Sequence, residues 1–130
     1  SIMQKRTKAQ EQLEFEIEFY QRLLHTHPEF TEALSALGEA YSRRGWHEKG
    51  VAVDLQLTQL KRRDPVAWYN LACSYSLLNR LEESFDALTH AISLGYDDFE
   101  YLLKDPDLTT LRQSPKLRAL LIQRAQKTSS

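Results

Sequence analysis

The side chains in this chain that can do chemistry are four histidines, one cysteine and eighteen carboxylates, and their spacing decides what chemistry is open to them. His25 and His27 stand two apart near a helix end, which turns them to different faces, whereas a helical metal pair is spaced i, i+4. His47 and His90 stand alone in the sequence, so the four histidines read as surface or packing residues and no metal is expected. Cys73 has no partner for an intrachain disulfide and no His–Asp constellation beside it, which fits a reducing compartment and argues against a thiol nucleophile. The glutamates at 11, 14, 16 and 18 alternate with apolar residues as a solvated helix face does. Lys61-Arg62-Arg63 is too short for a nucleic-acid patch and suits the negative end of a helix dipole. Seventeen basic against eighteen acidic residues give a net charge of −1, without the basic excess of a nucleic-acid binder. No nucleophile–base pair, metal spacing or phosphate loop is present, so the chain reads as a non-enzyme without a cofactor.

What these groups sit on is written in an internal repeat. Leu34, Leu37, Gly38 and Tyr41 recur as Trp68, Leu71, Ala72 and Tyr75, each pair 34 residues apart. Four matches at one offset mark a duplicated supersecondary unit, and a helix pair of that length buries its apolar face only by stacking on further copies. Helical periodicity predicts a first helix from about Thr7 to His25, apolar on two sides: Leu13, Ile17, Tyr20 and Leu24 on one, Phe15, Phe19 and Leu23 on another. The next helix runs to Arg43, with Gly38 leaving room for a close neighbour and Gly45 as its C′ residue. A third runs from about Trp46 to Arg62, with Val51, Leu55 and Leu57 to Leu60 as its apolar positions. Because Pro28 and Pro65 are 37 rather than 34 residues apart, that third helix or its exit is expected to be about one turn longer than its counterpart. A second pair follows, from Pro65 to Leu78 and from Leu81 to near Gly95. Short helices at Asp98–Leu103 and Pro106–Leu111 and a final one from Pro115 to about Gln126 complete the reading, with Asp105 and Ser114 as N-caps before proline. The longest apolar runs are a few residues, so no membrane span is expected. Ser1-Ile2 ahead of Met3 reads as a cloning remnant, and no secretory signal is visible.

The residues Leu34, Leu37-Gly38, Tyr41, Trp68, Leu71-Ala72, Tyr75 and Ala91 resemble the tetratricopeptide repeat pattern. The segment before Pro28 is similar to the second helix of a preceding repeat. One departure stands out: Gly50 takes the usual alanine place, but Asp54 falls where the pattern expects a large apolar residue. In the tail, Leu102, Asp105-Pro106-Asp107-Leu108, Leu111-Arg112, Pro115 and Leu120-Leu121 resemble a closing segment found after such repeats in bacterial proteins. The resemblance implies an all-α, right-handed solenoid of antiparallel helix pairs: a half repeat at 1–28, repeats at 29–64 and 65–97, and a helical cap at 98–130.

It also implies a protein-binding role, with the partner in a concave groove lined by the first helix of each pair. Mapped onto this chain, that groove takes Glu32, Ser35, Glu39, Ser42 and Arg43 from the first repeat and Val66, Tyr69, Asn70, Cys73, Ser76 and Leu77 from the second. Tyr69 suits peptide contact and Asn70 a bidentate grip on a bound backbone. The lysine-rich carboxylate clamp of some members is not expected, because Glu39 would repel a carboxylate and Ser35 supplies no cation. The alternative is self-association, a homodimer through the aromatic row Phe15, Phe19 and Leu23, or an excised piece of a longer protein. The expected compartment is the cytoplasm.

Overall fold

The computed structural model describes residues 5–128; Ser1-Ile2, read above as a remnant, lies outside them. Among the described residues the regular elements are all helical: α1 (Lys8–Thr26), α2 (Thr31–Arg44), α3 (His47–Leu60), α4 (Pro65–Leu77), α5 (Leu81–Ser93), α6 (Phe99–Leu102), a 3-10 turn (Pro106–Leu108), α7 (Thr109–Arg112) and α8 (Pro115–Thr128). Each of α1 to α4 packs on the next, which is the connectivity of a solenoid. The fold is a helical solenoid of the tetratricopeptide type.

Local chemistry explains the boundaries. Thr7 opens α1 with a capping box: its hydroxyl accepts from the Gln10 amide, and the Gln10 side chain accepts from the Thr7 amide. Gly45 closes α2 at φ +82°, a conformation in which a side chain is strained. Asp64 caps α4 through the Val66 amide, with Pro65 in the first turn. Asp98 and Asp105 repeat that device ahead of α6 and the 3-10 turn.

Two expectations about α3 are corrected. It spans 14 residues against 13 in α5, so it is not a turn longer. The solenoid register runs from Thr31 to Pro65, the first residues of α2 and α4, which are 34 apart. Pro28 lies three residues ahead of that register, in the α1–α2 turn, where its carbonyl accepts from the Gln56 side chain at 3.2 Å. Leu55 and Leu60 are also not core. Their exposures are 41% and 37%, and they fall at the margins of the arc formed by Gly50, Val51, Val53, Asp54, Leu57 and Thr58. That arc is wide because α3 is covered by both α2 and α4.

The core falls into two clusters. One joins Ile17 of α1 to Leu34, Leu37, Ala40 and Tyr41 of α2 and Val53 and Leu57 of α3. The other gathers Leu71, Tyr75, Leu88 and Ile92 with Leu102, Leu108, Leu111 and Leu117 from the tail. The four tail leucines are fully buried, so the tail is part of the core rather than an appendage. Arg112 fixes its path by donating to the carbonyls of Leu102, at 2.9 Å, and Asp105, at 2.6 Å. Pairs expected to be equivalent differ in detail: Tyr41 meets the Gln21 side chain at 2.9 Å, and Trp68 donates to the Arg62 carbonyl at 2.9 Å.

Candidate functional site: the concave groove

The inner faces of α2 and α4 border an open cavity of about 670 Å³. Ser35, Glu39, Ser42 and Arg43 form the α2 wall, and Tyr69, Asn70, Cys73 and Leu77 belong to the α4 side. Gly38, Asp54, Leu57 and Ser74 line it between them, and Tyr101, Asp105 and Asp107 of the tail form the far end. Eight of the positions named from sequence for the groove, Ser35, Glu39, Ser42, Arg43, Tyr69, Asn70, Cys73 and Leu77, thus share one cavity. Glu32 and Val66 lie outside that lining; both are exposed, in the first turns of the same helices. Ser76 is turned into the packed interior at 2% exposure, and its hydroxyl finds no partner among the described residues.

Within the cavity the residues divide by what already holds them. Tyr69 is 5% exposed; its ring stacks on Tyr96 at 4.2 Å and its hydroxyl donates to Asp105 Oδ2 at 2.6 Å. The Cys73 thiol donates to the same oxygen at 3.6 Å. The other Asp105 oxygen caps the Asp107 amide at 3.0 Å. This buried cluster clips the tail to α4 and takes up the polar ends of Tyr69 and Cys73. Burial pushes the Tyr69 hydroxyl and the Cys73 thiol far above their ordinary pKa ranges, and Asp105 adds to both shifts. Cys73 is therefore a protonated, inert thiol. Cys73, Asp105 and Asp107 do bring one potential metal-ligand atom each within 4.8 Å of the others. Both Asp105 oxygens, however, are taken up by the Tyr69, Cys73 and Asp107 donors, which is the arrangement of an internal hydrogen-bond hub. Asn70 and Leu77, by contrast, are exposed to the cavity, as are Ser35, Glu39 and Tyr101.

Asp54 is the residue whose role the sequence pattern did not give. It sits in the place where a large apolar side chain was expected, without any shift of register, and is 8% exposed. Its Oδ2 accepts from the Ser74 hydroxyl at 2.5 Å, and its Oδ1 lies where a Cβ on Gly38 would come within 3.3 Å. Burial pushes its pKa up to about 6, and the Ser74 bond offsets only part of that. The signal that marks it in the sequence is the mismatch itself: a carboxylate in an apolar slot, next to a glycine on the facing helix. Arg43, the cation on the groove wall, is drawn aside to Glu16 of α1 at 2.7 Å.

The second candidate, the α1 row, is open. Phe15 is 63% exposed and Phe19 49%, their rings stacked with centroids 6.5 Å apart; Leu23 is half-buried. The described residues ahead of α1 do not lie over it; Arg6 is held to Glu14 on another side of the helix. Of the histidines, His90 packs edge-on against Trp68 at 4.2 Å, as a packing residue does.

Residues 65–95, which are α4, α5 and the following turn, match the tetratricopeptide repeat family. A stretch of 58 residues is 48% identical to a chloroplastic protein of Arabidopsis thaliana, covering 45% of this chain and 17% of that protein. The matched stretch is thus a small part of that relative's length, and the relative is from a plant, which lends the expectation of a bacterial-type closing segment no support. Among the described residues no helix is long and apolar enough to cross a membrane.

Proposed function

We propose that the chain is a non-catalytic protein-interaction module that holds a segment of a partner protein in the concave groove, in an adaptor, assembly or scaffold role. The observation that carries this reading is the open cavity between α2 and α4, whose exposed side chains, Ser35, Glu39, Asn70, Leu77 and Tyr101, make few contacts within the chain. They offer hydrogen-bond donors, acceptors and an apolar contact along one face, which is what an extended peptide requires. Tyr69 and Cys73 support the wall from behind rather than meeting the partner. Ser35→Trp fills the cavity from an exposed position. Partner capture by the purified chain is expected to fall at least tenfold in this variant with the circular dichroism unchanged; equal capture would move the binding surface elsewhere.

Self-association is the second reading, favoured by the exposed stacked pair Phe15 and Phe19. Sedimentation velocity of wild type against Phe15→Ser, Phe19→Ser separates the two. A concentration-dependent dimer that the double variant abolishes, with helicity kept, supports it, and a monomer in both ends it. For location, the description of the relative points to the chloroplast and gives the cytoplasmic expectation no support.

A further inference from the structure

Resting on the groove reading above, we infer that the groove takes a cationic side chain, a lysine or arginine of the partner segment, against the carboxylate of Asp54. Asp54 is more than nine-tenths buried and lines the cavity between α2 and α4. One of its oxygens is held by the Ser74 hydroxyl; among the described residues no N–H or O–H donates to the other. A buried carboxylate is ordinarily paired, since leaving an ion out of water without a counter-charge is costly. Among the described residues no such cation acts on Asp54; the influences on it are burial and the Ser74 bond alone. The space beside it is kept by Gly38, where a Cβ would approach Asp54 Oδ1 to 3.3 Å.

The charges around it point the same way. Glu39 stands on the α2 wall, and Asp105 and Asp107 close the tail end. The basic residue of the lining, Arg43, is neutralised by Glu16 outside the cavity. A chain of net charge −1 therefore concentrates negative charge in its groove, where low-dielectric walls focus the field on an incoming cation. The buried Asp105 is satisfied by Tyr69, Cys73 and the Asp107 amide, which leaves Asp54 as the anchor.

A random dodecapeptide display library selected on the full chain, with chelator present, tests this. Each enriched peptide is then measured by fluorescence anisotropy against wild type, Asp54→Asn, Glu39→Gln and Ser35→Trp. The expected result is enrichment of peptides carrying lysine or arginine, whose affinity falls at least tenfold with Asp54→Asn, less with Glu39→Gln, and is abolished by Ser35→Trp. Peptides without such residues, or basic peptides that Asp54→Asn binds as well as wild type, overturn the inference; if Ser35→Trp still abolishes them, the groove reading stands. Peptides indifferent to Ser35→Trp, or no enrichment, overturn both. Binding that appears only when the chelator is replaced by a divalent cation also overturns the inference, since the acidic lining would then be serving a metal. Far-ultraviolet circular dichroism and thermal melts of each variant separate lost binding from lost fold.

Discussion

At the scale of single residues, the groove is held at a cost to stability. Asp54 has a folded pKa of about 6 against an ordinary 3.8, so the folded state binds a proton that the unfolded state has already lost. Below pH 3.8 the residue is neutral in both states and harmless, and as pH rises through 6 the folded state is penalised by about 3 kcal/mol. Asp54→Asn is therefore expected to raise the unfolding free energy at pH 7.5 by roughly 1–3 kcal/mol, with the gain vanishing near pH 4. Urea melts of both proteins across that range check it, and a variant less stable than wild type at pH 7.5 refutes it. Tyr69 works in the other direction. Tyr69→Phe removes a buried hydroxyl donor to Asp105, and Cys73 and the Asp107 amide remain to satisfy the carboxylate. The expected loss is about 1–2 kcal/mol, read from the same melts. Thus the tyrosine that sequence marked for peptide contact also holds the tail through Asp105, and the aspartate that sequence marked as a misfit is the residue proposed above to receive a partner's cation.

At the scale of helices, two glycines separate conformational need from spatial need. Gly45 has open space around it but a φ of +82° at the end of α2. Gly45→Ala is expected to cost about 1 kcal/mol or somewhat more through left-handed strain alone. Gly38 lies within α2, where alanine would gain up to about 1 kcal/mol in helix propensity. Its Cβ, however, would press on Asp54 Oδ1 at 3.3 Å and Val53 Cγ1 at 3.5 Å. The two effects nearly cancel, so Gly38→Ala is expected within about 0.5 kcal/mol of wild type, with a larger loss for Gly38→Val, whose β-branch adds to the pressure on Asp54 and Val53 and gains less in helix propensity. Thermal melts of the three variants order them, and a Gly38→Ala cost above that of Gly45→Ala contradicts the argument. The same close approach is why a small residue recurs at 38 and 72: Ala72 is fully buried, and its carbonyl accepts from Ser84 at 2.7 Å.

At the scale of the molecule, the tail completes the second core cluster. Leu102, Leu108, Leu111 and Leu117 share a cluster with Leu88 and Ile92 of α5. Removing residues 98–130 would expose that end and release Tyr69 and Tyr96, each buried leucine contributing roughly 1.5–3 kcal/mol. For four leucines that is about 6–12 kcal/mol, comparable to the whole margin of a small domain. The truncated chain is expected to lose cooperative unfolding in calorimetry and to aggregate, while a sharp melt near that of wild type would mean that the repeats stand without their cap. The opposite end differs. There Phe15 and Phe19 remain in solvent, and the polar substitutions described above are expected to leave the melting temperature nearly unchanged.

How much of this was legible in the sequence depends on the range of the interaction. Helix existence, the 34-residue register and the cap at Asp105 are local: each follows from side-chain period or from an oxygen within three residues of an amide, although Thr7 and Asp98, read from sequence as the first residues of their helices, stand one position ahead as N-caps. The repeat carries the solenoid with it, because a unit that cannot bury its face alone stacks on its copy. The extent of α3 does not follow from the spacing of Pro28 and Pro65, because prolines mark turns without fixing where in the turn they stand. What only the tertiary structure decided are the pairings across 16 to 36 residues: Asp54 facing Gly38 and Ser74, Tyr69 meeting Asp105, Arg43 turning to Glu16. No period encodes these. They depend on which side of each helix its neighbours cover, and that is set when all the apolar faces are buried at once.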